Sequence, residues 1–302
     1  MLKGIESMKK MMNGLGIVRS SSLLGVTQNF LPLQSKAVQG SGLDTKGKNN
    51  MKKLMITAAA AFCATVALSV ESQIVGYETS GLVSGKSNMT GVMFVGVDGG
   101  DLDLNKDFQI ANLTGGDDET ESDLVQVWNA ADGKYTTFYY YQEVDCEEDW
   151  GWYVTTGKAQ PIFPAGTAFW YKAKGDKFDK SITISGAIET DADITFPVVG
   201  GKSNMIVNPY PTLIDLNDAE TVEFVGLTGG DDETESDLVQ VWNAADGKYT
   251  TFYYYQEVDC EEDWGWYVTT GKAQPQVASG VGFWYKAKVG EGKAIKFKNP
   301  IK

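Results

Sequence analysis

The stretch LTGGDDETESDLVQVWNAADGKYTTFYYYQEVDCEEDWGWYVTTGKAQP fills positions 113–161 and returns without a mismatch at 227–275. Whatever one copy folds into must therefore be built twice. Outside the identical block, FWYKAK recurs at 169 and 283 in the same register, and GKSNM recurs at 85 and 201. KSITIS at 180 is answered by KAIKFK at 293. A spacing of 114 positions is domain-sized, well beyond the roughly 20–50 residues of a solenoid repeat. The expected organisation is a β domain over 73–186 and a second over 187–302.

Within each unit the apolar pattern has period two. DLVQVW and KYTTFYYYQ are rich in β-branched and aromatic residues, and AADG between them is a turn, so the pair predicts a hairpin. GWYVTT, GTAFWYKAK and KSITIS, with SQIVGYETSGL and SNMTGVMFVGV upstream, predict further short strands bounded by Gly, Asp and Pro. DLDLNKDF and LIDLNDAE are the only short helical candidates. The expected fold class is all-β, with two tandem antiparallel β-sandwich or barrel-like domains. A hairpin dense in Trp and Tyr lets a small domain bury enough area, because each such ring can bury about 150–250 Å². Two copies cannot close a propeller ring of about four to eight blades.

Residues 1–72 stand apart from this pattern. MKKLMITAAAAFCATVALSVES from Met51 has the basic, apolar and small-residue segments of a secretory signal peptide over 51–72. Thr57 and Thr65 interrupt the apolar run, which falls short of the roughly 20 residues of a membrane span. Phe62 before Cys63 is too large for a lipoprotein cleavage site. The 50 residues before Met51 lack periodicity and are expected to be a mis-called start or a disordered extension. Lys46-Gly47 encodes a purine run of ribosome-binding type at the right distance from Met51. The expectation is a product that is secreted, periplasmic or held at the cell surface, with no membrane span in its mature part.

Residues 73–302 carry 17 basic and 37 acidic side chains, a net charge of −20, and the chain's one arginine, Arg19, lies outside them. Such a surface repels phosphate backbones and anionic lipid, which excludes nucleic acid as a partner. The chain has no histidine. Serine triads, imidazole-zinc sites and guanidinium clamps are thus not available to residues 73–302. Paired carboxylates of glycosidase type are the remaining option, and no deep cleft is implied, so the chain is expected not to be an enzyme. Cys146 and Cys260 occupy equivalent positions, one per unit. Neither unit can hold an internal disulfide, and a bridge between units demands a two-fold-like arrangement.

Two candidate sites follow. Tyr135, Thr137, Tyr139 and Tyr141 share one face of their strand, and Thr136, Phe138, Tyr140 and Gln142 the other. One face must be core. The other could be an aromatic platform for a glycan, formed by Tyr139, Tyr141, Trp150 and Trp152 and, in the second unit, by Tyr253, Tyr255, Trp264 and Trp266. Packing of both faces is the competing expectation. The loops GGDDETESD offer hard oxygen ligands in Asp117, Asp118 and Glu119 and in Asp231, Asp232 and Glu233, a possible Ca²⁺ site without EF-hand spacing. Solvated acidic loops are the simpler expectation. SGKSN at Ser84 lacks the first glycine and the following helix of a phosphate loop.

QIVGYETSGLVSGKSNMTG, GKSNMIVNPYP, the VWNAADGKYTTFYYY hairpin, AGTAFWYKA and SITISGAI together resemble a group of secreted tandem-repeat β proteins of Verrucomicrobia and Lentisphaerae. That group has an IVGY start, a GxNLIxNP strand and a PGxGFW strand. FPAGTAFWYKA and VASGVGFWYKA fit the last, while SNMTGVMF departs from the asparagine-proline form. The resemblance implies a tandem, all-β exported protein and brings no activity with it. The functional expectation is an exported, non-catalytic structural or adhesive protein of the bacterial envelope or exterior, binding an extracellular glycan or an envelope protein. The alternative is a tandem carbohydrate-binding module.

Overall fold

Ten strands in each half follow one another in the same order. In the first half they are β1 (Val75–Leu82), β2 (Ser87–Gly91), β3 (Leu102–Asp103), β4 (Phe108–Ala111) and β5 (Leu124–Asn129). They continue with β6 (Lys134–Tyr141), β7 (Gly151–Val154), β8 (Ile162–Phe163), β9 (Ala168–Lys172) and β10 (Lys180–Ala187). The second half repeats them as β11 (Ile194–Pro197), β12 (Ser203–Ile206), β13 (Ile214–Asp215), β14 (Val222–Val225) and β15 (Leu238–Asn243). Its remaining strands are β16 (Lys248–Tyr255), β17 (Gly265–Val268), β18 (Gln276–Val277), β19 (Phe283–Lys286) and β20 (Ala294–Phe297). The computed structural model describes residues 74–302 except 144, 146, 176–178, 191 and 258–262. The expectations for the start, the signal peptide and the pairing of Cys146 with Cys260 lie outside the described residues.

Each half is an antiparallel sandwich. A five-stranded sheet, β2-β9-β5-β6-β7, faces a three-stranded sheet, β1-β10-β4, with the pair β3-β8 at the side. The second half has the same three sheets, and neither half closes into a barrel. Strand parity decides what is core. Val125, Phe138, Trp152, Phe169 and Tyr171 point from the large sheet onto Phe108, Ile182 and Ile184 of the small one. The counterparts Val239, Phe252, Trp266, Phe283 and Tyr285 meet Val222, Ile295 and Phe297. Phe138 on the core side therefore sends Tyr135, Tyr139 and Tyr141 to the outer face.

The β5–β6 hairpin forms where the sequence places it. Val125 pairs with Phe138, Val127 with Thr136 and Asn129 with Lys134. The Asn129 carboxamide oxygen accepts from the Ala131 and Asp132 amides, which folds the turn. Gly133 then closes it at φ 64°, a left-handed conformation that a Cβ would strain.

The two short helical candidates are corrected to strand and turn. Leu102 and Leu104 alternate with polar residues, a pattern of period two, and Leu102 pairs with Phe163. Asp103 then halts the strand, its carboxylate accepting from the Asn105 amide while the Asp107 carboxylate accepts from the Asp103 amide. Ile214 and Asp215 repeat the arrangement by pairing with Val277 and Gln276. No α-helix occurs among the described residues.

The halves meet through a near two-fold junction within one compact body spanning 73–302. The Trp128 indole N–H donates to the Ser203 carbonyl at 2.7 Å, and Trp242 donates to the Ser87 carbonyl at 2.8 Å. Trp128 meets Trp284 edge-on at 5.5 Å, and Trp170 meets Trp242 at 5.6 Å. Met89 and Met205 fill the space around these rings. Isolated bridges link Thr90 to Val281 and Thr167 to Ile206, again a reciprocal pair. The two copies differ at Gly91. Gly91 faces its own counterpart Val207, and a Cβ on Gly91 would stand 2.5 Å from a Val207 methyl. Glycine is required there because the partner already occupies the volume.

Candidate functional site

The outer end of each large sheet is an exposed aromatic surface. Tyr139 and Tyr153 are cross-strand neighbours with ring centres 6.5 Å apart, and Tyr141 meets Tyr153 edge-on at 5.8 Å. Tyr253, Tyr255 and Tyr267 repeat the cluster. Trp150 is 37% exposed beside it, its indole N–H donating to the Glu143 carbonyl at 2.7 Å. Trp264 matches it by donating to the Glu257 carbonyl. Tyr153 is the most exposed ring of the group at 45%, its hydroxyl donating to the Asp149 carbonyl. The Tyr141 hydroxyl is tied to the Glu143 carboxylate.

Trp152 and Trp266 do not belong to this surface. Trp152 is 4% exposed, packs on Tyr140 at 5.6 Å and Tyr171 at 6.3 Å, and forms part of the core. Trp266 is buried against Phe224 and Tyr254 in the same way. Trp150 lies before β7 begins, so the alternation along the strand does not carry it to the face of Trp152. Tyr153, which sequence reasoning passed over, does follow from that alternation, since it must point opposite to Trp152.

Beside Trp150 the free edge of β7 forms an open groove of about 480 Å³, lined by Asn105, Trp150, Tyr153, Lys158 and Gln160. Asn105 caps the strand edge, its carboxamide oxygen accepting from the Trp152 amide at 2.7 Å. That bond consumes a backbone donor which would otherwise invite strand addition. The lining residues recur in the second half as Asn217, Trp264, Tyr267, Lys272 and Gln274. Lys158 and Gln160 were not among the sequence candidates, because neither belongs to an aromatic or acidic pattern.

The acidic loop runs alongside the tyrosine cluster. Gly116 bridges to Tyr141, and the Gln142 amide donates to the Gly116 carbonyl. Asp117, Asp118 and Glu119 are exposed, as are Asp231, Asp232 and Glu233. The Asp118 carboxylate accepts from the Thr120 hydroxyl and amide, which holds its pKa below the ordinary carboxylate range; Asp232 is held likewise by Thr234. Among the described residues no three carboxylate or thiol groups converge to hold a metal ion.

The last aspartate of each loop turns inward. Asp123 is fully buried, and its Oδ2 accepts from Lys180 Nζ at 2.7 Å, the Tyr171 hydroxyl at 2.7 Å and the Thr114 amide at 2.9 Å. Oδ1 accepts from the Lys174 amide at 2.6 Å. Lys180 also donates to the Asn112 carbonyl and the Thr114 hydroxyl. Asp237, Lys293, Tyr285, Thr228 and Lys288 reproduce the network in the second half. Burial, then the charge and hydrogen bond of Asp123, push the Tyr171 hydroxyl far above its ordinary range, so it remains a proton donor. No helix among the described residues is long and apolar enough to cross a membrane. No protein-family model matches the chain, and no curated protein matches it.

Proposed function

We propose that residues 73–302 act as an exported, non-catalytic adhesive protein of the bacterial envelope or exterior, binding its target twice. The supporting observation is an aromatic groove in the first half whose lining residues all recur in the second, on a single compact body. Two sites on one frame raise the effective concentration at the second site and strengthen attachment without any new contact. Extended β-sandwiches joined by a packed junction also suit a protein that transmits load. The target chemistry that fits best is a glycan. Exposed rings of Trp150 and Tyr153 offer faces for the apolar side of a sugar, and Lys158 and Gln160 offer donors for its hydroxyls.

A glycan array probed with residues 73–302 tests this reading. Trp150→Ala with Trp264→Ala should abolish binding, while either change alone should weaken it by far more than the factor of two expected for independent sites. Binding that survives the double change places recognition elsewhere on the surface. An array that stays blank, with retention by isolated envelopes that protease treatment abolishes, would replace the glycan with an envelope protein.

A further inference from the structure

We propose that Asp123 and Lys180 in the first half, and Asp237 and Lys293 in the second, are joined by autocatalytic side-chain amide bonds. The lysine and aspartate side chains are 3% and 0% exposed in the first pair and 2% and 0% in the second, with Nζ 2.7 and 2.8 Å from Oδ2. Each pair is held in contact inside a water-excluded core, where an ammonium and a carboxylate lack solvent and a proton has only the short Nζ–Oδ2 contact to cross. Transfer of that proton makes them an amine beside a carboxylic acid, which is a reacting pair. The contact places Nζ close to the roughly 3–3.5 Å separation of a near-attack geometry with the carboxyl carbon.

The surrounding groups supply what condensation needs. A proton passes from the Nζ ammonium to Oδ2, which leaves an amine and a carboxylic acid. The Nζ lone pair then attacks Cγ and the C–N bond forms. Negative charge that develops on Oδ1 faces the Lys174 amide N–H, at 2.6 Å, as an oxyanion would face its donor. A second proton moves from Nζ to Oδ2, relayed by the Tyr171 hydroxyl that already touches it. The Cγ–Oδ2 bond breaks and one water departs. Ammonium plus carboxylate have become amide plus water, with no oxidant or cofactor. The released water is left with the Tyr171 hydroxyl and the Thr114 amide, both of which had served Oδ2.

The placement gives the bond a purpose. Lys180 opens β10 in the small sheet, and Asp123 immediately precedes β5 in the large one. The amide would staple the two layers of each sandwich across a loop of more than fifty residues. With one cysteine per unit, no internal disulfide can do this. The network occurs in both halves, although Lys180 and Lys293 lie outside the identical block.

Intact-mass spectrometry of the purified chain, its N-terminus fixed by sequencing, decides the matter. The mass should fall short of the sequence mass by one water per bond, two waters for the chain. Proteolysis should release a branched peptide joining the Asp123 segment to the Lys180 segment. Lys180→Met should restore one water, and Tyr171→Phe should leave a fraction unreacted. A wild-type mass equal to the sequence mass overturns the proposal and leaves two buried ion pairs. A water lost without a branched peptide also overturns it, since cyclisation of an aspartate onto its own backbone loses the same mass.

Discussion

Two tryptophans separated by one glycine lead different lives, and the difference can be measured. Trp152→Ala should destabilise residues 73–302 by about 3–5 kcal/mol, as truncation of a buried ring does. Trp150→Ala should cost less than about 1 kcal/mol, because its ring is at the surface and its loss opens no cavity. Urea denaturation of both variants checks the contrast, and equal losses would return Trp150 to the core. Acid sensitivity has its own residue. The Asn299 amide, with Lys296 and Lys302, lowers the Asp193 pKa to about 2. An unfolded aspartate titrates near 3.9, so this stabilisation is complete above about pH 4 and is lost as the pH falls through about 2. Melting temperature followed against pH should decline less steeply across that window in Asp193→Asn than in the parent. Parallel curves would assign the acid dependence to other groups.

At the scale of elements, much was legible because local chemistry and global packing agree. The hairpin from Asn129 to Lys134 announces itself through alternation and turn residues, and its glycine is testable. Gly133→Ala must hold φ near 64° with a Cβ present, at a cost of about 1–2 kcal/mol. Gly133→Asn should cost less, since asparagine tolerates the left-handed region; chemical denaturation ranks the two, and equal stability of all three would mean that the turn relaxes. Strands β3 and β8 were hidden, because they pair over only two residues each and the alternation of Leu102 and Leu104 is too short to exclude a helical reading. The candidate site was only half legible. Parity separates the faces of β6 but cannot tell which face is covered by the small sheet. Trp150 precedes the strand that parity describes. Lys158 and Gln160 reach the groove through a loop whose path is set by tertiary packing. The inward turn of Asp123 was hidden for the same reason, since a run of acids reads as solvated until a buried lysine is found opposite its last member.

Across the whole molecule, the junction was foreseen only as a repeat. The sequence shows two copies but does not show that their tryptophans clasp each other. Gly91→Val should drive the halves apart, because its side chain must enter volume held by Val207 and the Thr167 carbonyl. The expected signs are a lower melting temperature and a red shift of tryptophan emission as Trp128 and Trp242 meet water. Adding Val207→Gly should recover part of the loss by vacating that volume, and no recovery would place the strain within the first half. The reciprocal indole bonds end on the main-chain carbonyls of Ser87 and Ser203, and every residue owns such a carbonyl. The clasp therefore reads no side chain at either position, and drift at 87 and 203 leaves it intact. After a duplication, one copy's groove can acquire a new preference while its twin keeps the old, and the pair still inherits its mutual grip.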